Sequence, residues 1–169
     1  LRRIVVAVDP PASSRATSDA CGIVAAGLDG ESRAIVLADA TVNAAKPQEW
    51  AGAAVALFHR LEADCIVAEV NQGGDMVTAV IRTVDPAVPV RPVRARRSKW
   101  LRAEPVAALY HQGRVLHAGR FAELEDEMCD FGPNGLSSNR SPDRVDALVW
   151  AITELMPDTA ANPRIRDLI

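Results

Sequence analysis

Four carboxylates stand where a hydrophobic core would not accept them unaided. Asp9 closes the apolar run Arg3-Ile4-Val5-Val6-Ala7-Val8, and Glu69 closes Cys65-Ile66-Val67-Ala68. Asp143 and Asp146 stand three residues apart, ahead of Ala147-Leu148-Val149-Trp150. A carboxylate taken out of water needs a hydrogen-bond partner, a counter-charge or a metal. The three-residue offset puts Asp143 and Asp146 on one helix face. If the strands ending at Asp9 and Glu69 are parallel neighbours, their ends lie side by side, about 5 Å apart by strand spacing. Oxygen groups converging in this way suit hard divalent cations such as Mg²⁺ or Mn²⁺.

Each acid also has a purely structural explanation. An aspartate before Pro10-Pro11 is an ordinary turn residue, and Asp143 at a helix start would serve the helix dipole. Glu69 is harder to dismiss, because glutamate is depleted from strands; so is Asp146, at the front of an apolar helix. The four together outweigh any one. Other reactive residue types offer less. His111 and His117 flank a predicted turn and are expected to face solvent, with His59 partly exposed, so no Ser-His-Asp or Cys-His arrangement is indicated. Cys21, Cys65 and Cys129 are odd in number and lack metal-site spacing. Cys21 and Cys65 lie in apolar runs and read as buried thiols, which fits a reducing, intracellular setting. Trp50, Trp100 and Trp150 fall on predicted helices and are expected in the core rather than as base-stacking platforms.

These acids need a scaffold, and 169 residues suffice for one well-filled core. Residues 1–157 read as one domain and 158–169 as a C-terminal tail. The continuous apolarity of residues 3–9 predicts a strand buried on both faces, hence central in its sheet. Runs at 20–28 and 34–41, joined through Asp29-Gly30, extend it into an antiparallel meander. A helical stripe over 47–61, a strand at 65–70, a helix over 75–84 opened by Gly73-Gly74 and a strand at 88–93 then imply parallel neighbours. Helices are predicted over 99–111 and 121–130, with a short hairpin or strand at 113–118 between them. A loop at 132–142 leads to a last helix with Ser141 as N-cap and Pro142 in its first turn. The fold class is therefore α/β: three antiparallel strands followed by parallel ones, flanked by helices. No apolar run approaches the ~20 residues that span a bilayer, the first residues form no basic-plus-apolar leader, and a chain beginning at Leu1 reads as an excised piece of something longer or as one with a trimmed N-terminus.

The net charge of −3 hides an asymmetry. Residues 82–120 hold nine Lys/Arg against two acids, whereas residues 121–169 hold ten acids against four Lys/Arg. Such a division suits a protein that grips phosphate on one surface and cations on another. The densest run is Arg91 to Arg102. Within it, Arg94, Arg96, Arg97 and Lys99 are the candidate phosphate contacts, the plain alternative being a solvated face.

Asp9 after its β-rich run, Glu69-Val70-Asn71-Gln72-Gly73-Gly74, and Ser141-Pro142-Asp143-Arg144-Val145-Asp146-Ala147-Leu148-Val149-Trp150-Ala151 resemble the three acidic motifs of the large terminase nuclease domain. The segment Lys99 to Val115, including Arg102-Ala103-Glu104-Pro105-Val106-Ala107-Ala108-Leu109-Tyr110, resembles members of that family in prophages and gene transfer agents. The likeness runs from Val5 to Met156. It implies a ribonuclease H-like sheet and an endonuclease that cuts concatemeric double-stranded DNA in the cytoplasm of a bacterial host, with no part for a membrane. It also implies two ions, Mg²⁺ or Mn²⁺: Asp9 between them, Glu69 on one and Asp143 or Asp146 on the other, one ion activating water and the other stabilising the leaving 3′ oxygen.

The same resemblance implies partners: an ATPase domain of the same subunit, a portal and a small terminase subunit. No GxxxxGK[ST] phosphate loop occurs here, so these residues match the nuclease half alone. Relatives often carry Asp-Asp or His-Asp in the third motif where Pro142-Asp143 stands, which leaves Asp143 and Asp146 both open as direct ligand. The paired spacing also resembles Holliday-junction resolvases. A resolvase, a ribonuclease H, and a non-catalytic DNA-binding or docking module whose acids are structural are the alternatives.

Overall fold

Alternation along the apolar runs builds a sheet with two buried faces. In a computed structural model, which describes residues 1–11, 20–43, 46–70 and 74–157, the strands are β1 (Arg3–Asp9), β2 (Ala20–Leu28), β3 (Ala34–Asp39), β4 (Val42–Asn43), β5 (Cys65–Glu69), β6 (Val90–Val93) and β7 (Val115–His117). The helices are α1 (Pro47–Arg60), α2 (Gly74–Val84), α3 (Lys99–His111), α4 (Ala122–Asp130) and α5 (Asp143–Leu155). The sheet order is β6-β5-β1-β2-β3-β7, with β4 beside β2. β1 pairs antiparallel with β2, and β2 with β3; β1 pairs parallel with β5, and β5 with β6.

Period-2 alternation decides which side chains meet which helices. Val5 and Ala7 of β1, Val24 and Ala26 of β2 and Val67 of β5 pack on one face with Val145, Leu148 and Ile152 of α5 and Val106 and Leu109 of α3. Val6, Val8, Ile23, Ala25, Ile66 and Ala68 pack on the other face with Trp50, Ala54 and Leu57 of α1 and Val77 and Ile81 of α2. The result is three layers with β1 at the centre. Among the described residues, no helix is long and apolar enough to cross a membrane.

Several local expectations need correction. Ser141 does not cap α5: Pro142 occupies the cap position and the helix starts at Asp143, while the Ser141 hydroxyl accepts a hydrogen bond from Lys99 Nζ at 2.9 Å. Of the two forms expected over 113–118, the strand is the one present: Val115–His117 pairs parallel with β3 at the far edge of the sheet. His117 does not face solvent: its ring is hydrogen-bonded to the Tyr110 hydroxyl at 2.8 Å and to Glu125 at 3.0 Å, which ties β7 to α3 and α4. Cys65 is half-buried and Cys129 exposed, whereas Cys21 is buried. The turn residues Asn71, Gln72 and Gly73, and the expected tail 158–169, lie outside the described residues.

Candidate metal centre

Asp9 and Glu69 share the odd positions of their strands with Val5 and Ala7 and with Val67, so both side chains project onto the α5 face. The β1–β5 register pairs Val8 with Ala68, which sets Asp9 and Glu69 abreast, one residue further on. α5 lies across β1 and β2 with its N-terminal turn over these strand ends. A glycine makes this approach possible: Gly22 of β2 pairs with Asp9, and a Cβ built there would lie 1.9 Å from the Asp143 carbonyl oxygen and 3.2 Å from the Ala147 Cβ. The helix start therefore rests on bare β2 backbone, and this close seat brings Asp143 and Asp146 down to the sheet.

Asp9, Glu69 and Asp146 each contribute a carboxylate oxygen, and the three atoms lie within 4.8 Å of one another. Asp143 is also buried; its Oδ1 lies 3.7 Å from Lys99 Nζ. Two cations from α3 enter the cluster. Lys99 Nζ lies 3.1 Å from Asp9 and 2.5 Å from Asp146, and Arg102 bridges Glu69 at 3.1 Å and Asp146 at 3.0 Å. Trp150, one turn beyond Asp146, donates its indole N–H to Glu69 Oε2 at 2.5 Å. The Arg102 guanidinium sits over the Trp150 ring, 4.7 Å from its centroid, a cation–π contact that fixes both.

Burial raises the Asp9 carboxyl well above its ordinary value; Asp146, Glu69 and Asp143 push the same way, against Lys99. Burial also raises Asp146, with Lys99 and Arg102 opposing. For Lys99, burial pulls downward, but Asp9 and Asp146 outweigh it and the ammonium is held above its usual range. Cys21 behind the cluster is pushed up by burial and by Asp9 and Asp143, which leaves it an inert thiol. Four carboxylates thus face two cations. Negative charge in excess, all-oxygen donors and convergence from three elements are what a divalent cation requires, so this donor set fits one.

Of the eight residues singled out in the sequence, the structure brings Asp9, Glu69, Asp143, Asp146 and Lys99 to one place. Lys99 lies among the acids rather than on an outer surface. Arg94, Arg96 and Arg97 are exposed and line a hollow beside Arg102 and Trp150. Arg102 and Trp150 escaped sequence reading as members of the site. A usable signal was present, because Arg102 follows Lys99 by three residues and Trp150 follows Asp146 by four, the spacings that share a helix face.

Solved structures share this fold. The large terminase nuclease of thermophilic phage G20c, crystallised with bound magnesium, is 17% identical, with a TM-score of 0.70 over 90% of this chain and 81% of that one; the same nuclease has been crystallised with zinc and with cobalt. The large terminase of bacteriophage HK97 is 12% identical with a TM-score of 0.66, and its match covers 95% of this chain but 40% of that longer protein. The yeast mitochondrial Holliday junction resolvase is 12% identical with a TM-score of 0.56, over 91% of this chain and 78% of that one. At these identities the likeness establishes a shared fold and no more. No curated protein sequence matches the chain. A family model described as the terminase RNaseH-like domain matches residues 6–155, nearly the whole chain. The chain belongs to the terminase RNaseH-like domain family.

Proposed function

We propose that the chain is the metal-dependent endonuclease of a terminase large subunit and cuts concatemeric double-stranded DNA within a bacterial host cell. The observation that carries this reading is the convergence of Asp9, Glu69 and Asp146 within 4.8 Å at the end of a central parallel strand pair, in a chain of the terminase RNaseH-like family. Asp9, Glu69 and Asp146 hold the metal directly, and Asp143, one turn earlier on α5, completes a site for a second ion. Two Mg²⁺ or Mn²⁺ ions bound there would supply an activated water and charge stabilisation for the leaving 3′ oxygen.

The protein's own residues do the positioning. Trp150 and Arg102 hold the Glu69 carboxylate against rotation, and Lys99 and Arg102 temper the repulsion among the acids. Arg94, Arg96 and Arg97 take phosphates beside the cut, which carries little sequence information. Within a large subunit the domain would act beside an ATPase domain, with a portal and a small terminase subunit as further partners. The likeness to the G20c nuclease, crystallised with three different metals, supports the metal requirement.

Plasmid digestion tests the reading. Cutting should require Mg²⁺ or Mn²⁺, stop with EDTA, and fall by more than about 100-fold in Asp9→Asn and Glu69→Gln, since loss of even an outer-sphere partner costs about 10–100-fold. Circular dichroism should show both variants folded. Full cutting by Asp9→Asn would overturn the site. Preference for a four-way junction over linear duplex would instead assign a resolvase, and preference for an RNA–DNA hybrid a ribonuclease H.

A further inference from the structure

β6 is the open edge of the sheet, and beside it runs a groove of about 1000 Å³ that the four acids do not use. Its floor is apolar: Val70, Val90, Pro92 and Val93. Its rim is basic: Arg82 of α2 on one side, Arg94 and Arg96 on the other. Among the described residues, no carboxylate lines it. Thr78 and Arg82 stand four residues apart, so α2 turns one continuous face toward the groove. Trp150 also lines the groove, and its indole N–H holds Glu69. A second hollow shares Arg94, Arg96 and Trp150 and adds Arg97 and Arg102, again with no carboxylate among the described residues. Arg82, Arg94, Arg96 and Arg97 thus line two adjoining hollows beside the acidic cluster, while Arg102 is paired with Glu69 and Asp146.

We propose that the α2–β6 groove receives a single, unpaired DNA strand continuing from the cleavage point, with Arg82 as a phosphate contact. The inference rests on reading the acidic cluster as the cutting site. The chemistry selects the occupant. A duplex offers phosphates and sugars on its outside and hides its base faces, so an apolar floor would go unused. An unpaired strand offers phosphates to the arginine rim and base faces to the apolar side chains; single-strand grooves join basic and aromatic residues to the same end, and here valines and a proline supply the apolar surface. An acidic protein segment would match the rim but carry few apolar faces for the floor. The arrangement implies that the duplex opens next to the cut on the α2 side.

Fluorescence anisotropy in chelator, where nothing is cut, tests this with a labelled oligo-dT and a hairpin duplex of equal length. Arg82→Ala and Arg82→Ala/Arg94→Ala should weaken oligo-dT binding several-fold and stepwise. Each should flatten the salt dependence by about 0.7 of log–log slope per lost contact, the single-strand value. Arg82→Ala should leave duplex affinity unchanged, and Arg120→Ala, beyond β7 at the other edge of the sheet, should leave both unchanged. Unaltered oligo-dT affinity in the double variant overturns the proposal, and so does an equal loss of duplex affinity in Arg82→Ala. Poly-glutamate competing as well as unlabelled oligo-dT overturns it in favour of an acidic protein partner. Calorimetric Mn²⁺ titration separates the two readings: wild-type protein that binds no Mn²⁺, or Asp9→Asn that binds it undiminished, sinks the cutting-site reading, while the oligo-dT series still reports on the groove.

Discussion

Asp9 and Lys99 touch each other, yet replacing them should move stability in opposite directions. Burial and the neighbouring acids raise the Asp9 carboxyl, so the folded protein binds that proton more tightly than the unfolded chain does. Stability from this source is fully present below the unfolded value near pH 4 and is lost as pH rises through the raised folded value. In metal-free buffer at pH 7.5, Asp9→Asn should therefore melt above wild type, and the gap should close toward pH 4. Lys99→Met does the reverse and leaves the acids facing Arg102 alone. Breaking a fully buried pair costs about 3–5 kcal/mol; with a third of the Lys99 side chain exposed, about 1–3 kcal/mol is expected. Mn²⁺ should raise the melting temperature of wild type and Lys99→Met but not of Asp9→Asn. Thermal melts with chelator and with Mn²⁺ check each sign, and a Lys99→Met protein as stable as wild type without metal would remove the ammonium from the account. The acids could be picked out in the sequence because carboxylates at the ends of apolar runs break a pattern. Arg102 and Trp150 broke none: an arginine in a basic run and a tryptophan on an apolar helix are ordinary until the facing helix is known.

Among the elements, the seat of α5 on β2 depends on Gly22. A methyl group there would collide with the Asp143 carbonyl at 1.9 Å, and backbone cannot rotate aside as a side chain can. Gly22→Ala should lift the first turn of α5, at a cost of about 3 kcal/mol or more, the upper range for overpacking. Because Asp146 rides on that turn, Mn²⁺ affinity should fall together with stability. Gly27→Ala, at the other end of the same strand, meets first the flexible end of Leu1 and should leave Mn²⁺ affinity unchanged. Calorimetry and melts on the two variants would show whether the effects separate in this way. Nothing in the sequence marked Gly22, since a glycine within Ala20–Leu28 reads only as a weak spot in a strand. The meander and the β5–α2–β6 unit were legible because their apolar runs are five residues or longer, or flanked by strong turn residues. β4 and the pairing of β7 were not, because two or three residues carry no period and parallel pairing across the sheet is set by tertiary packing. The Ser141 cap was a sound local inference, but the hydroxyl instead serves the Lys99 ammonium.

Viewed whole, the molecule gathers its acids from β1, β5 and α5, so that residues 9, 69 and 146 meet only when α5 has packed on the assembled sheet. α5 supplies most of one buried face of the sheet, through Val145, Leu148, Ile152 and Leu155, and no shorter sub-assembly closes that face. Native-state hydrogen exchange in mild denaturant should find β1, β2 and α5 amides opening together at the global free energy, with β7 and α4 opening earlier. Release of α5 while β1 stays protected would contradict this. Contacts between segments more than 130 residues apart form slowly, after many local ones. A nascent or partly unfolded chain therefore lacks Asp146 at the strand ends and, on the proposed reading, should neither gather ions nor cut. On the proposed reading, completion of the fold is its own safety catch, because the cutting site stays unassembled until α5 has docked.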